Sequence, residues 1–415
     1  MLNVDVAVIG SGAGGSIAAF ELTRRGFNVT LLEEEEEVDV KHSYRKYYPT
    51  LSSIEILRTK CLGGSTLVSL GNMVLDDFII SKLKACNIDI TEEANIVKHL
   101  MQVVEVPQHM LSPFSEKFID VSRSMGFNPR IMPKSIRFDK CVACGRCAYG
   151  CPNDAKFTAL DLIASARKRG LTVVTGFKVK RLHRRSPNGA WIIEGFKDGG
   201  KVTVNCEALV IAAGALDVPS LLSQICDDER IGQGLFIDPF VTVGGPYDGP
   251  SSSDGIPMSV YVDFGEFIIS PHYSGLLPFQ LRSRGVQHEG RHVASVMVKV
   301  ADEGKGTVWP NGIIEARMTK RDLEMLRKGI ELAKALLVDM GVKESEIVVT
   351  HVRGAHPGGT AAIGHVVSKD LTISDCDGVF IADASLVPPP LGRPPMLLIM
   401  ALALKVSHKV YEYLV

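Results

Sequence analysis

Four thiols fall between residues 141 and 151: Cys141, Cys144, Cys147 and Cys151, the last followed by Pro152. The spacing C-x2-C-x2-C-x3-C-P puts soft sulfur ligands where they can hold an iron–sulfur cube. Zinc competes for such ligands, but zinc knuckles come in pairs separated by about a dozen residues or more. Three cysteines at two-residue gaps suit three corners of one cube. Gly145 and Gly150 permit turns that aim backbone N–H groups at sulfide. There is no second motif of this kind in the chain. Cys151 therefore either folds back to close a 4Fe–4S centre or leaves a 3Fe–4S one.

A second chemical signature opens the chain. Val4, Val6, Val8 and Ile9 read as a buried strand, followed by Gly10-Ser11-Gly12-Ala13-Gly14-Gly15 and a helical stretch ending at Gly26. Val29 to Leu32 then form a strand that stops at Glu33. Strand, G-x-G-x-x-G, helix, strand, acid is a dinucleotide fingerprint. Gly10 makes the tight turn, Gly12 lets backbone approach a pyrophosphate, and Gly15 lets helix and strand pack closely. The helix N-terminus faces the phosphates, and Glu33 can accept from a ribose hydroxyl. This fingerprint alone does not separate FAD from NAD. A dinucleotide and a cluster in one chain imply electrons that enter in pairs and leave singly.

The bulk composition narrows the partners. The chain has 415 residues, 46% of them hydrophobic, enough for two domains and a sizeable core. With 46 basic and 47 acidic side chains, nothing points to nucleic acid or to anionic lipid. No charged leader with a cleavage site precedes the first strand, and the apolar run from Met396 to Leu404 is too short to span a bilayer. Nine cysteines, an odd number with one tight cluster, do not resemble a disulfide framework, so a reducing cytoplasm is expected. The five outside the cluster read as small buried hydrophobes.

Further motifs follow in a fixed order. Cys61 to Val68 is a second glycine turn with Gly63, Gly64 and Ser65. Ala208 to Leu216 runs as a strand into a small-residue turn at Ala213 and Gly214. His356-Pro357-Gly358-Gly359-Thr360 comes later, then Val379 to Pro388 with Asp383 and Ala384, and a closing helix from about Pro395 and Met396. Taken in this order, these motifs resemble the glucose–methanol–choline (GMC) family of FAD oxidoreductases, and among them the members with a cysteine-rich insert. The likeness covers residues 4 to about 80 and about 140 to 411, and is weakest over 81–135 and 240–300.

That resemblance implies FAD and an α/β fold. A Rossmann-like FAD-binding domain would take residues 1–80, 158–240 and 352–415. A substrate domain on an antiparallel sheet would take 81–135 and 241–351, with the cysteine insert at 136–157. By matching position, Gly10, Gly12, Gly14, Gly15 and Glu33 would hold the ADP half, with Val179 near adenine. Gly63, Gly64 and Ser65 would line the pyrophosphate and flavin, as would Ala213, Gly214 and Ala384. Asp383 would meet the pyrophosphate–ribityl region, a role compatible with its reading as a helix cap. The closing helix, from Pro395 and Met396, would aim its positive end at the flavin. His356 would be the base for a hydroxyl proton.

Three positions depart from the family pattern. Pro394 stands where a second His or Asn is expected, Ser69 where an Asn is, and Asp238 where a His is. Proline supplies no ring N–H. Arg393 would then hold an anionic or carbonyl oxygen, or else be a surface arginine. Three readings compete. One is an FAD dehydrogenase of a CH–OH group on a small or apolar substrate, passing single electrons to a protein or quinone. Another is a ferredoxin-fed reductase of a C=C or carbonyl substrate. The third is a non-catalytic electron-transfer subunit. A hetero- or homo-oligomer is compatible with all three.

The elements that must position these groups are legible in part. Strands are expected at 29–32, 171–175, 190–195, 202–205, 208–212 and 379–382. Asn153 or Asp154 is expected to cap a helix bearing Leu160, Ile163, Ala164 and Ala166, so that the insert hangs on the nucleotide domain. Leu323, Leu326, Ile330, Ala333 and Leu337 share one face of a helix that ends at Gly341.

Overall fold

The strand Leu2–Ile9 is flanked by Val29–Leu32 on one side and by Gly200–Ile211 on the other, both parallel to it. Thr172–Val174 extends the sheet beyond Val29–Leu32, and Val379–Ile381 pairs with the end of Gly200–Ile211. Helices cover both faces of such a sheet, which is why its strands are near-continuous apolar runs. Two further strands, Trp191–Lys197 and Lys178–Arg184, continue it antiparallel. The computed structural model describes every residue except 49, 51, 186–188 and 288–289.

A second, eight-stranded sheet is mostly antiparallel and centres on Pro239–Tyr247, His292–Val300 and Phe267–Pro271. The helix Lys320–Asp339 lies on it. Thr319 and Asp322 form a reciprocal cap at its start, and Leu326, Ala333, Leu336 and Leu337 are buried. The α/β architecture with an antiparallel second sheet is the one expected.

The details differ in four places. The strands read at 202–205 and 208–212 are one strand, Gly200–Ile211. Its first half pairs antiparallel with Trp191–Lys197, and its second half continues parallel to Leu2–Ile9, so the polar break at Asn205 does not interrupt it. The helix after the cysteines is Ala159–Arg167, and its cap is Thr158 with Asp161 rather than Asn153 or Asp154. Ile79, Leu83, Ala94, Val97 and Met101 pack in the core of the nucleotide sheet, so the stretch 81–101 sits there and not with the second sheet. From Val106 to Ile119 the buried side chains join the second core.

The fourth difference is a disulfide. Cys226 and Cys376 are joined, so these two are not the free buried hydrophobes that were expected. They tie the segment after the helix Val218–Leu222 to the turn before Val379–Ile381. Such a bond persists in an oxidising surrounding and is uncommon in a reducing one. Among the described residues no helix is long and apolar enough to cross a membrane. Alkylating the denatured protein without reductant should label seven of the nine cysteines, and all nine after reduction. Equal labelling in the two mass spectra would contradict the pairing.

Candidate functional site

The glycines of the N-terminal loop divide by what surrounds them. A Cβ on Gly10 would stand 2.3 Å from the Ala212 carbonyl oxygen, on Gly14 1.6 Å from that of Ala382, and on Gly15 1.9 Å from that of Gly10. These three are dictated by close backbone packing. Gly12 is different: a Cβ there meets no protein atom within 4 Å. Gly12 caps the helix Ala13–Arg24 with no side-chain bond, so first-turn N–H groups are left for a ligand. Gly214, in the facing strand-to-helix turn, is similarly open. A cradle with bare amide donors and room at Gly12 fits a pyrophosphate.

Ser11 holds this cradle to its neighbours. Its backbone N–H donates to Glu33 Oε2 at 3.1 Å and its hydroxyl donates to the same oxygen. The Ser11 hydroxyl also accepts from the Gly63 N–H at 2.8 Å. Gly64 then lies against Gly12, a Cβ there standing 3.3 Å from the Gly12 Cα. Ser65 Oγ accepts from the Thr59 N–H at 3.1 Å, which fixes the turn. Burial pushes the Glu33 carboxyl up from its ordinary range, opposed by Ser11 and the Glu35 N–H. The Phe177 N–H donates to the Glu33 carbonyl at 2.9 Å, bringing the strand that carries Val179 beside this acid. Asp383 accepts from the Gly214 N–H at 2.7 Å and the Ser385 N–H at 2.8 Å, so it caps a turn while joining two loops of the cradle. Its burial raises its pKa.

His356 sits at a second convergence. Thr360 Oγ1 donates to the Ala215 carbonyl at 2.8 Å, and the Gly359 N–H donates to the Ala384 carbonyl at 3.0 Å, seating the histidine loop on both cradle turns. His356 Nδ1 is 3.0 Å from Asp238 Oδ2 and 3.3 Å from Lys299 Nζ. Asp238, fully buried, also accepts from the Gly392 N–H at 2.7 Å. This bond draws the segment before the closing helix to the same carboxylate. Asp238 is the nearer of the two partners, and with Nδ1 donating to its carboxylate Nε2 is left as the basic nitrogen. The His356 side chain keeps 28% of its surface accessible, against 2% for Lys299 and 0% for Asp238, so the ring is the member that faces outward.

The electrostatics follow from this packing. Burial, then Lys299, lowers the His356 pKa, with Asp238 opposing. Burial lowers Lys299 to about 8, with Asp238 opposing and Arg393 adding to the fall. Asp302 accepts from the Asp238 N–H at 2.9 Å and is raised to about 8 by burial and by Asp238. Sequence reasoning found His356 and noticed Asp238 only as a departure; Lys299 and Asp302 escaped it. The signal for both was a charge at or just beyond the end of a largely apolar strand, His292–Val300.

Arg393 is not a surface residue. It is 2% exposed, its Nε lies 3.1 Å from Asp76 and its Nη2 2.6 Å from Asp263. It stacks on Phe78 at 4.6 Å, and its Nη1 is buried without a partner. Two carboxylates already neutralise this guanidinium, so it staples the closing segment to both cores. Pro395 and Met396 start the helix Met396–Leu414, whose cap makes no side-chain bond.

The cysteines are carried by a loop that lies between the second core and the segment Val40–Tyr47. Cys141, Ala143 and Cys151 pack on the second core, while Gly150 approaches the Val40 carbonyl and Tyr47 donates to the Ala148 carbonyl at 3.2 Å. All four thiols are free. The Ala155 N–H donates to Cys151 Sγ at 3.2 Å, and the Ala143 amide to the Cys141 sulfur. Burial raises Cys147, with Lys156 and Lys134 opposing and the neighbouring thiols adding. Among the described residues no three His, Cys, Asp or Glu side chains converge closely enough to hold a single metal ion.

A two-sheet α/β protein with a glycine cradle joined to a histidine loop defines a flavin-dependent oxidoreductase. Residues 8–240 and 301–403 match the N- and C-terminal GMC oxidoreductase domains, and the chain belongs to the GMC oxidoreductase family. FAD is the cofactor that goes with this fold. An uncharacterized protein of Methanocaldococcus jannaschii is 31% identical over 98% of this chain and 99% of its own. A long-chain-alcohol oxidase of Arabidopsis thaliana is 24% identical over all of this chain and 68% of its own. Among solved structures, pyridoxine 4-oxidase from Mesorbium loti superposes with a TM-score of 0.76 at 17% identity, covering 98% of this chain and 99% of that one. Formate oxidase from Aspergillus oryzae gives 0.72 at 13% identity, over 99% and 98%.

The glycine pattern separates binding from folding. Gly12→Ala should fold with an unchanged melting temperature in the flavin-free form yet lose bound flavin. Gly14→Ala should lower stability itself, because backbone must move. Flavin absorbance and thermal melting of the two variants check this. A Gly12→Ala protein that keeps full flavin would contradict the cradle.

Proposed function

We propose that this protein oxidises a CH–OH group of a small or apolar substrate and passes the electrons singly to a protein or quinone acceptor. The observation that carries the reading is the His356–Asp238 pair seated on the flavin cradle with its Nε2 free. FAD, when bound, would supply the two-electron acceptor for the hydride of the carbon that bears the hydroxyl. His356 Nε2 accepts the hydroxyl proton. Asp238 holds the imidazole tautomer and balances the charge that forms on it, and the Lys299 ammonium lies 3.6 Å from the same carboxylate oxygen. The Gly392 N–H fixes the second Asp238 oxygen, so the carboxylate cannot rotate away. Gly10 to Gly15, Glu33, Gly63 to Ser65, Val179, Ala213, Gly214, Asp383, Ala384, Pro395 and Met396 would hold the FAD.

An iron–sulfur centre on Cys141, Cys144, Cys147 and Cys151 would supply the one-electron exit. Thiolates around a cube stand wider apart than around one ion, so a loop with no single-ion site is compatible with it. Free thiols, amide donors aimed at two sulfurs and nearby buried lysines support this reading. The reverse direction, reduction of a C=C or carbonyl by a ferredoxin-type donor, is favoured by Pro394, which removes the usual second hydrogen-bonding side chain.

Anaerobic rapid mixing with a series of primary alcohols should bleach the flavin absorbance. Replacing His356 with Gln should slow this step by about 10²–10⁴-fold. Flavin that no alcohol bleaches, but that a reduced ferredoxin and an enone turn over, would favour the reverse reading. The pH profile adds a second check. His356 must be neutral to act, and burial and Lys299 lower its pKa, which favours the neutral ring. Lys299→Met removes a cation facing the ring and leaves Asp238 to favour the imidazolium. The acid limb of kcat/KM should therefore move to higher pH. A limb that stays in place would show that Lys299 does not act through His356.

A further inference from the structure

One face of the second sheet lies under the helix Lys320–Asp339, with Val241, Val243, Val296 and Val298 in the second core. Alternation along the strands turns Phe240, Met297 and Lys299 to the other face. There Phe240 and Met297 belong to a third apolar cluster. Leu70, from the flavin-side turn, and Ala355, next to His356, pack against it. This face of the sheet therefore looks toward the cradle and the histidine loop.

Arg353 stands on the same face. Phe240 is directly opposite Lys299 on one neighbouring strand and directly opposite Arg353 on the other. Side chains of directly opposite residues share a face. The Arg353 guanidinium lies over the Phe240 ring, 5.0 Å from its centre, while Lys299 Nζ reaches to 3.3 Å from His356 Nδ1. Two strand spacings, about 10 Å, separate the backbones of Arg353 and Lys299. Phe240 is thus a floor with a cation at one edge and the base at the other.

This cation is left without an acid. Nη2 donates to Ser274 Oγ at 3.2 Å, and Nε is buried without a partner. Among the described residues no Asp or Glu oxygen lies within 4.0 Å of the guanidinium. Glu55 attracts it from farther away, but His351 Nε2 holds that carboxylate at 3.1 Å. The other arginine of this region, Arg393, already has Asp76 and Asp263. His272, edge-on to Phe240 at 6.3 Å, is pushed down to about 3 by burial and then by Arg353, so it is a neutral neighbour. Burial also works against the charge on Arg353, yet a guanidinium does not lose its proton in a protein. A planar group with two oxygens matches its fork of donors.

We propose that Arg353 holds a carboxylate of the substrate, so that the alcohol oxidised here is a hydroxy acid whose apolar stretch lies on Phe240 and whose hydroxyl reaches His356. The inference rests on the oxidation of a CH–OH group proposed above and names its substrate class. Hydride and proton go where that reading puts them, and Arg353 is a binding residue with no part in the chemistry. The width of the Phe240 floor favours a carboxylate several bonds from the reacting carbon over a 2-hydroxy acid.

Calorimetry on the FAD-loaded protein tests the subsite without turnover, using a straight-chain alkanoate, which has no hydroxyl to react, and the alkanamide of the same length. The alkanoate should bind about 10–100-fold more tightly than the amide. Arg353→Met should remove that preference, and Arg353→Lys should restore part of it. An alkanoate that binds no better than the amide, or a preference that survives Arg353→Met, would overturn the proposal. The first comparison needs only the wild type and holds even if a variant does not fold. Flavin bleaching by ω-hydroxy acids and by alcohols of the same lengths separates this inference from the reading beneath it. The acids should bleach at lower concentration. Alcohols that bleach with no advantage for the acids would overturn the carboxylate subsite and leave the oxidation standing. An Arg353-dependent alkanoate site in a protein whose flavin neither series bleaches would overturn the oxidation, and the hydroxy-acid substrate with it.

Discussion

The turn from Cys61 to Asn72 is pinned from both sides, and the chemistry of this protein depends on that constraint. On one side Ser11 donates to Glu33 and accepts from the Gly63 N–H, which sets the second glycine turn against the nucleotide cradle. On the other side the Lys156 ammonium gathers the carbonyls of Leu67, Ser69 and Cys147. One short stretch of backbone is thus a wall shared by the flavin cradle and the cysteine loop. The charges and donors involved are buried, so each bond lost would strand a polar group away from water. That penalty makes the juxtaposition of the two sites a property of the fold rather than of a mobile loop.

The second convergence obeys the same logic with different parts. Asp238 sits where strand Pro239–Tyr247 begins, with a positive φ of 49°. Its two oxygens take His356 and the Gly392 N–H, so one carboxylate orients the base and also anchors the entry to the closing helix. Lys299 answers its charge from the neighbouring strand of the second sheet. Both sheets therefore contribute to one imidazole. The residues at 238 and 394, which break the family pattern, are not scattered losses. Asp238 orients the ring, and the segment before the closing helix is held by the Gly392 N–H and by the Arg393 side chain.

The sequence announced the fold well wherever local chemistry was decisive. Glycines at 10 and 15 stand at the close backbone approaches their spacing implied, because packing leaves no room for a Cβ there, while Gly12 borders open space and Glu33 accepts from Ser11. The apolar face of the helix Lys320–Asp339, the helix start at Met396 and the parallel strands were equally legible. The strand Lys178–Arg184 was not, since five basic residues among its seven hide the apolar alternation. Lys134, Lys156, Lys299 and Asp302 were invisible for a common reason. A buried charge is recognised by its distant partners, and nothing in the local pattern distinguishes it from a solvated one. The Cys226–Cys376 pair is the same case at a separation of 150 residues.

The shared wall makes one measurement decisive. Anaerobic protein is photoreduced through its flavin in the absence of substrate, quenched by freezing at short delays, and followed by electron paramagnetic resonance. If the 61–72 turn joins the two sites, the signal of a reduced iron–sulfur centre should grow in as the flavin signal decays, within the shortest delays. A flavin signal that persists beside a silent or absent centre would contradict the account.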